Sequence, residues 1–202
     1  SSGGDALIRR STDRAEALVT DAVVPIGAAT ITVDPVGLYG VGDAVVLFHP
    51  DTPAWIASVN GGGTAGDAPW EPGELPIPYV RTVTAVDGAS VTLDAPVFAR
   101  LDRSLSQSTL YLRSRTNVVE KVGVESLRID IATVGPQDET QAENAVVIGL
   151  AEDAWAQDVT ALHFWHAGIS VQASLRVTVQ DCEALDPVSV VTGERRYNFE
   201  AD

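Results

Sequence analysis

The sequence predicts an all-β protein in which a small β-barrel or β-sandwich-like module precedes a right-handed parallel β-helix. Three observations predict this fold class. Short runs between residues 22 and 98 alternate apolar and polar residues, the period of a half-buried strand. Two of these runs are joined by Asp87 and Gly88, a dipeptide typical of tight hairpins. The second half of the chain contains an internal repeat, the signature of stacked structural units.

Residues 1–21 are predicted to form an N-terminal arm or cap. Between residues 6 and 19, apolar residues stand at uneven spacing among arginines, which favours a short helix. The chain opens on Ser1 and contains no methionine, so we expect a mature form or a fragment of a longer protein.

Residues 22–115 are predicted to form the small β module. Its strand patterns cover residues 29–33, 43–48, 80–86 and 90–96. Residues 49–78 interrupt them as a long loop rich in Gly and Pro, and loops of this length in a compact domain are usually functional or disordered. The loop carries Trp55 and Trp70, which either wall a sugar-binding groove or pack the loop onto the module.

Residues 116–202 are predicted to be the first coils of the β-helix. Three segments of similar pattern align with one another: residues 124–129, 156–161 and 179–184. The second interval is 23 residues, from 157 to 180, which suits one coil of several short strands. The first is 32 residues, from 124 to 156, and we attribute the excess to a loop inserted at residues 135–141.

The last predicted coil begins near residue 188 and has no capping helix after it. A coil leaves an apolar face and unpaired strand edges that only a neighbour can cover. We therefore expect that further coils follow in the parent protein or that a partner chain covers this end.

Charge and composition exclude several classes of partner. The chain has 13 Lys and Arg against 28 Asp and Glu, a formal net charge of -15, so it would repel nucleic-acid backbones and anionic lipid heads. No run of about eighteen apolar residues occurs, which argues against membrane insertion. The one cysteine, Cys182, excludes an intrachain disulfide and is predicted to be a small buried side chain.

Five short motifs carry a resemblance to a known family: Gly-Asp-Ala-Val-Val at 42–46, Pro-Asp-Thr-Pro-Ala-Trp-Ile at 50–56, Val-Thr-Ala-Val-Asp-Gly at 83–88, Thr-Leu-Asp-Ala-Pro at 92–96 and Glu-Arg-Arg-Tyr-Asn-Phe at 194–199. With them, residues 22–200 resemble the N-terminal portion of bacterial secreted right-handed parallel β-helix proteins of the pectate-lyase-like superfamily. The resemblance implies a secreted, extracellular or cell-surface location. It also implies a polysaccharide or cell-surface glycan as partner, for a lyase, a hydrolase or a binder.

Two histidines and a tryptophan follow the second repeated segment, in the run His163, Phe164, Trp165 and His166. Histidine acts as acid, base or metal ligand, and tryptophan offers a sugar ring a flat apolar platform. We assign His163 and His166 as candidate catalytic residues and Trp165 as a candidate substrate-binding residue. The alternative is that one histidine only forms hydrogen bonds within a turn.

Asp158 and Asp181 occupy equivalent positions in two successive repeats. Stacked strands lie about 5 Å apart, so the two carboxylates are predicted to be close together. Close carboxylates bind Ca²⁺ or serve as the acid and nucleophile of a retaining glycosidase. The alternative is that each aspartate caps a turn by accepting hydrogen bonds from backbone amides.

Arg195, Arg196 and Tyr197 are the candidates for contact with an acidic glycan. A polysaccharide lyase needs a cation that neutralises the uronate carboxylate and a base that removes the adjacent proton, and these side chains supply both. The alternative is a solvated strand edge in which the arginines pair with Glu194 and Glu200.

These candidates favour a polysaccharide lyase or a glycoside hydrolase that requires no cofactor, although Ca²⁺ is possible. The second hypothesis is a non-catalytic scaffold, adhesin or appendage subunit built from stacked coils. An enzyme should gather histidine, arginine and carboxylate side chains at one solvent-facing place, whereas a scaffold should scatter them.

Overall fold

The computed structural model describes residues 7–11, 16–62 and 69–201. The chain divides into two compact units, Ile8–Ser114 and a second unit that contains Arg115–Asp202. Strands dominate both units, and the regular helix in the described parts is confined to a few short turns. The predicted all-β class is therefore confirmed.

The first unit contains a closed six-stranded barrel whose strands follow the order β1-β3-β6-β5-β4-β8. The six strands are β1 (Ala17–Val19), β3 (Thr30–Asp34), β4 (Ala44–His49), β5 (Ile77–Asp87), β6 (Ser90–Leu93) and β8 (Thr109–Leu112). A separate antiparallel pair is formed by β2 (Val23–Val24) and β7 (Leu101–Asp102). Each barrel strand pairs antiparallel with its neighbours. Of the two predicted forms of the β module, barrel or sandwich, the structure has the barrel.

Alternating burial explains why these strands close around one core. Ile31 and Val33 in β3 are buried while their neighbours along the strand point outward, as the sequence alternation predicts. The predicted hairpin is present, with Asp87 paired to Ser90 across a two-residue turn. Gly88 occupies that turn with φ of 57°, a conformation that costs glycine little.

A buried tyrosine bonds two paired residues of the adjacent barrel strands β1 and β8. The Tyr39 hydroxyl donates to the Leu110 carbonyl and accepts a hydrogen bond from the Ala17 amide at 3.2 Å. Burial raises the pKa of Tyr39 to about 12.

The structure differs from the helix expected over residues 6–19. Residues 17–19 form β1, which pairs with β3 and β8, while residues 1–6 and 12–15 of the predicted arm lie outside the described residues. Burial alternates along this strand as in other half-buried strands, because Ala17 and Val19 fill the barrel core and Leu18 between them is exposed. A three-residue strand is too short for its period to stand out in the sequence.

The long loop predicted over residues 49–78 also contains regular structure. A short helix, α1 (Pro53–Ser58), begins at Thr52, whose side-chain oxygen accepts from the Trp55 amide at 3.2 Å. A 3-10 turn, Asn60–Gly62, follows it, and residues 63–68 lie outside the described part. Threonine before proline is a helix-start signal that would have indicated α1.

The second unit is built from short parallel strands that stack coil upon coil. They are β9 (Val119–Glu120), β10 (Gly123–Asp130), β11 (Asn144–Gly149), β12 (Ala151–Glu152), β13 (Trp155–Leu162), β14 (Ala167–Gln172), β15 (Thr178–Gln180), β16 (Glu183–Leu185) and β17 (Tyr197–Ala201). β13 pairs with β10 on one side and with β15 and β16 on the other, while β14 lies between β11 and β17. The sheets are small, and every pairing among them is parallel.

The predicted alignment of the repeats is confirmed residue by residue. Val124 pairs with Ala156, and Ala156 pairs with Val179 in the next coil. The register follows from the interior of the stack, where Ala156 and Val159 pack with Ile169 from the adjoining sheet. Cys182 packs against this core but is half-buried, less than the buried side chain predicted for it.

Candidate functional site

Half of the predicted site residues meet near the start of the strands of one parallel sheet. Asn144, Ala167 and Tyr197 are in register in β11, β14 and β17, so the residues that precede them are stacked as well. We call the group that gathers there the His166 cluster. Its members are Glu139, Glu143, Trp165, His166, Arg195, Arg196, Tyr197 and Glu200.

His166 lies at the centre of this cluster between two carboxylates. Its Nδ1 is 3.3 Å from Glu143 Oε1, and its Nε2 is 3.2 Å from Glu200 Oε1. The second oxygen of Glu200 accepts a hydrogen bond from the buried Ser170 hydroxyl at 2.9 Å. The imidazole is therefore bounded by an acceptor at each nitrogen, and one of these acceptors is itself held in place.

Aromatic rings cover the other sides of His166. The Trp165 indole stacks on the imidazole with ring centres 5.6 Å apart and planes 25° apart. The Tyr197 ring meets it edge-on with centres 5.5 Å apart. Tyr197 remains 41% exposed, so the cluster presents an aromatic ring to solvent.

Arg195 is bound by a carboxylate from the inserted loop. Its Nε lies 2.6 Å from Glu139 Oε1 and its Nη2 lies 3.3 Å from Oε2, which gives a two-point ion pair. The hydrogen bond from Arg195 lowers the pKa of the Glu139 carboxyl, and the same bond raises the pKa of Arg195. The guanidinium carbon also lies 5.5 Å from the centre of the Trp165 ring, a cation–π contact.

Arg196 binds the backbone and side chain of one buried serine. Its Nε donates to Ser189 Oγ at 3.1 Å, and its Nη2 donates to the Ser189 carbonyl. The expected alternative paired both arginines with Glu194 and Glu200, but the partner of Arg195 is Glu139. Among the described residues, no carboxylate lies within ion-pair distance of Arg196.

The inserted loop predicted at residues 135–141 has a definite structure that supports the cluster. Asp138 accepts hydrogen bonds from the Thr140 hydroxyl at 2.7 Å and from the Val134 amide at 2.9 Å. These bonds, the Thr140 hydroxyl first, lower the pKa of Asp138. Gln141 then donates to the Val188 carbonyl at 2.8 Å. The extra residues of the first repeat thus reach the segment that carries the arginines.

The sequence did not single out Glu139, Glu143 or Glu200 as site residues. Glu139 lies within the insertion predicted at residues 135–141, and Glu143 lies two residues after its end. The first repeat is longer than the second, and a carboxylate within the extra residues was the sequence signal that could have indicated Glu139 as a site residue.

His163 lies apart from these contacts at the corner between β13 and β14. Its φ is 62°, and its Nδ1 is 2.8 Å from Asp130 Oδ1. This is the geometry of a turn histidine that forms hydrogen bonds, the alternative expected for one of the two histidines.

Asp158 and Asp181 both occupy a bend within the stacked strands. Their φ values are both 53°, and the equivalent Ser126 has a φ of 51°. Aspartate adopts this left-handed conformation more readily than most residues, which accounts for the residue type at two of the three bends. Over the parts of the chain that the structure describes, no three histidine, cysteine or carboxylate side chains group as a metal site.

Trp55 and Trp70 stack on each other in the loop of the barrel unit. Their ring centres are 6.5 Å apart and their planes 15° apart, and the edge of His49 meets Trp55 at 6.2 Å. The buried Asp51 carboxylate accepts from the Gly73 and Leu75 amides, the latter at 2.7 Å. The stack therefore packs this part of the loop, the second of the two roles expected for the tryptophans.

A further aromatic side chain, Trp155, lines a concavity in the coil unit. The hollow has a volume of about 170 Å³, and its walls are apolar. Trp155 lies over Gly123, where any Cβ would fall about 2.1 Å from the indole, and its Nε1 donates to Glu125 at 2.6 Å. The sequence did not indicate this position.

The fold defines an all-β class of protein that combines a closed antiparallel barrel with stacked parallel strands. None of the helices in the described residues is long and apolar enough to cross a membrane. No family model and no curated protein matches the sequence, so the resemblance to the pectate-lyase-like superfamily stays a prediction.

Three solved phage tailspikes are similar in structure. The tailspike gp49 of Pseudomonas phage LKA1 is 14% identical with a TM-score of 0.46, over 82% of this chain and 33% of that one. The tailspike gp61 of Pseudomonas phage phi297 is 13% identical with a TM-score of 0.42, over 86% and 31%. The gp54 tailspike of Acinetobacter baumannii bacteriophage AP22, solved in complex with A. baumannii capsular saccharide, is 9% identical with a TM-score of 0.43, over 87% and 34%. This chain spans about a third of their length, and similarity at this level assigns neither a family nor an activity.

Proposed function

We propose that this chain recognises an extracellular or cell-surface polysaccharide and that the His166 cluster is the binding site. The observation that carries the proposal is the gathering of imidazole, guanidinium, indole, phenol and carboxylate groups at one edge of a sheet. Such gathering distinguishes a binding or catalytic surface from a scaffold, in which these side chains would be scattered.

The exposed groups of the cluster match the chemistry of a sugar. The Tyr197 ring offers an apolar face to the C–H groups of a pyranose, and the Glu143 carboxylate, 54% exposed, accepts hydrogen bonds from hydroxyls. Glu200 is already held by Ser170, so this part of the site loses little side-chain entropy on binding.

The same geometry favours recognition over hydrolysis. Glu143 and Glu200 approach opposite nitrogens of His166, so the imidazole lies between the two carboxylates. A glycosidase needs that space for the glycosidic bond and, in an inverting enzyme, for a water molecule. Asp158 and Asp181, the other candidate pair, lie at backbone bends, which supports a structural role for both.

β-Elimination also has little support in this arrangement. A lyase needs a cation free to neutralise the uronate carboxylate, but Arg195 is paired with Glu139 through two contacts and Arg196 donates to Ser189 through Nε and Nη2. We therefore propose binding without cleavage as the function of this chain.

The proposal is tested by titrating the whole chain against a broad glycan array and measuring each hit by calorimetry. Tyr197→Ala should weaken binding about tenfold or more, in the range seen when a central aromatic anchor is removed. Phe98→Ala, which removes an aromatic ring that is 70% exposed in the other unit, is the matched control and should leave the affinity unchanged.

The hits are then assayed for unsaturated-uronate absorbance and for new reducing ends. We expect neither signal to rise. Product release would assign catalysis to the chain, and equal losses in both variants, or no hit at all, would contradict a binding site at Tyr197.

A further inference from the structure

We infer that the polysaccharide bound at the His166 cluster is uncharged, without uronate or other acidic groups at the contacting sugars. This inference rests on the proposed function and specifies the class of its ligand. It departs from the acidic glycan that the Arg195 and Arg196 motif predicts from sequence alone.

Both arginines of the cluster are already held by groups of the protein, one by an ion pair and the other by hydrogen bonds. The carboxylate of Glu139 neutralises Arg195 at 2.6 Å. Arg196 has its Nε and Nη2 donors directed at Ser189, which is buried. A sugar carboxylate would have to displace one of these partners and leave a desolvated group without its hydrogen bond.

The exposed charge that a ligand meets first is negative. Glu143 is the most exposed carboxylate of the cluster, and Glu200 lies on the other side of the same imidazole. An acidic sugar placed on the exposed Tyr197 ring would approach both carboxylates and would be repelled.

The charge of the whole chain also disfavours an acidic ligand. The formal net charge of the chain is -15, so an approaching polyanion meets a repulsive field before any contact forms. A neutral pyranose meets no such barrier, and its hydroxyls donate to the carboxylate oxygens that repel an anion.

A polysaccharide with free amino groups would be attracted by the same field. An ammonium group at Glu143 would, however, lie in the column of stacked positions that runs from Glu143 through His166 to Arg196. The neutral sugar satisfies the acceptors without adding a second cation to the column that contains Arg196, so the cluster favours it.

The test compares chemically matched ligands. The array carries neutral glycans, glycans with uronate or sialate, and glycans with free amino groups, and the best neutral hit is also oxidised at C6 to its uronate. We expect hits among neutral glycans, and at least about a tenfold loss of affinity on oxidation, which corresponds to about 1.4 kcal/mol.

Salt separates the electrostatic part of binding from the rest. Raising NaCl from about 0.05 to 0.5 M should leave the affinity for the neutral hit within about twofold, because no ion pair forms with the ligand. Glu183→Gln removes an exposed charge elsewhere in the coil unit and is the matched control for the field of the whole chain. It should leave the preference for the neutral ligand in place.

The failures of the two proposals are distinguishable. Hits confined to acidic or amino glycans that lose affinity in Tyr197→Ala would overturn the neutral ligand and leave the binding site standing. The absence of every hit, or hits insensitive to Tyr197→Ala, would overturn both.

Discussion

Glu139 and Arg195 lie 56 residues apart in the chain and form a two-point ion pair. The pair joins the inserted loop of the first repeat to the segment that leads into β17. It holds Arg195 against the Trp165 ring, so one contact orders both the cation and the indole of the His166 cluster. The additional length of the first repeat therefore contributes to the candidate site rather than only connecting two coils.

Replacement of Glu139 by glutamine should lower both thermal stability and glycan affinity. The substitution keeps an acceptor but removes the charge that binds Arg195, which leaves a half-buried guanidinium paired less well. The melting temperature and the calorimetric affinity of Glu139→Gln measure the two effects. Glu183→Gln is the control, and equal behaviour of the two variants would mean that the pair does not order the cluster.

The same pair predicts a pH dependence. The folded-state pKa of Glu139 lies below its ordinary value of 4.5 because Arg195 donates to the charged carboxylate. The ion pair therefore stabilises the folded chain fully above pH 4.5, and this stabilisation is lost as the pH falls through the lowered pKa of Glu139. The difference in melting temperature between the wild type and Glu139→Gln should shrink below pH 4.5, and a constant difference would contradict this assignment.

Gly168→Ala should strongly destabilise the stacked coils. A Cβ at Gly168 would lie 2.6 Å from the Ala184 Cβ and 2.8 Å from the Asn198 carbonyl oxygen, so backbone would have to move. Overpacking of this kind costs about 1 to 3 kcal/mol. Urea unfolding measures the loss. Gly193→Ala meets nothing within 4 Å and is the matched control, so similar midpoints for the two variants would count against the close packing.

His49 should make the barrel unit sensitive to mild acid. Burial lowers the folded-state pKa of His49 below its ordinary 6.5, and its Nδ1 is 2.7 Å from the Ser108 hydroxyl. The unfolded chain then binds the proton more readily than the folded one. The barrel unit therefore has its full stability above pH 6.5 and loses stability as the pH falls below that value.

His49→Gln removes this titration, and its melting temperature should fall less than that of the wild type between about pH 6.5 and 5. His163→Gln replaces a histidine of the other unit that is 33% exposed and is the control substitution. A slope unchanged by His49→Gln would reject the burial of a neutral imidazole as its cause.

The sequence predicts the parts of the fold that depend on a repeated or alternating pattern of apolar residues and on turn residues. Val124, Ala156 and Val179 align because each coil places an apolar residue at the same inward position. The hairpin at Asp87 and Gly88 is equally local, since the turn needs a residue that adopts positive φ. Repeats and turns therefore locate both the barrel and the stack.

The rest depends on partners that are distant in sequence. Sequence grouped Trp165 with His166 and Arg195 with Tyr197, but it contained no sign that Glu139 lies against Arg195. The strand Ala17–Val19 is recognisable only once β3 and β8 pair with it. Such contacts arise from the closure of the barrel and the stacking of coils, which a local pattern does not encode.

Tyr39→Phe should destabilise the barrel unit and change its response to alkali. The variant loses the hydroxyl that bonds the Ala17 amide and the Leu110 carbonyl, and unsatisfied buried groups of this kind cost about 1 to 3 kcal/mol. The wild-type pKa of about 12 lies above the ordinary 10, so the folded state retains the proton longer than the unfolded chain does. Wild-type stability is thus fully present below pH 10 and declines as the pH rises towards 12.

The variant lacks this titration, so the difference between the two proteins should narrow from pH 10 to 12 in urea unfolding. Tyr197→Phe alters an exposed hydroxyl in the other unit and is the control that should follow the wild type. A difference between the wild type and Tyr39→Phe that stays constant across this range would mean that the Tyr39 hydroxyl titrates alike in the folded and unfolded chains.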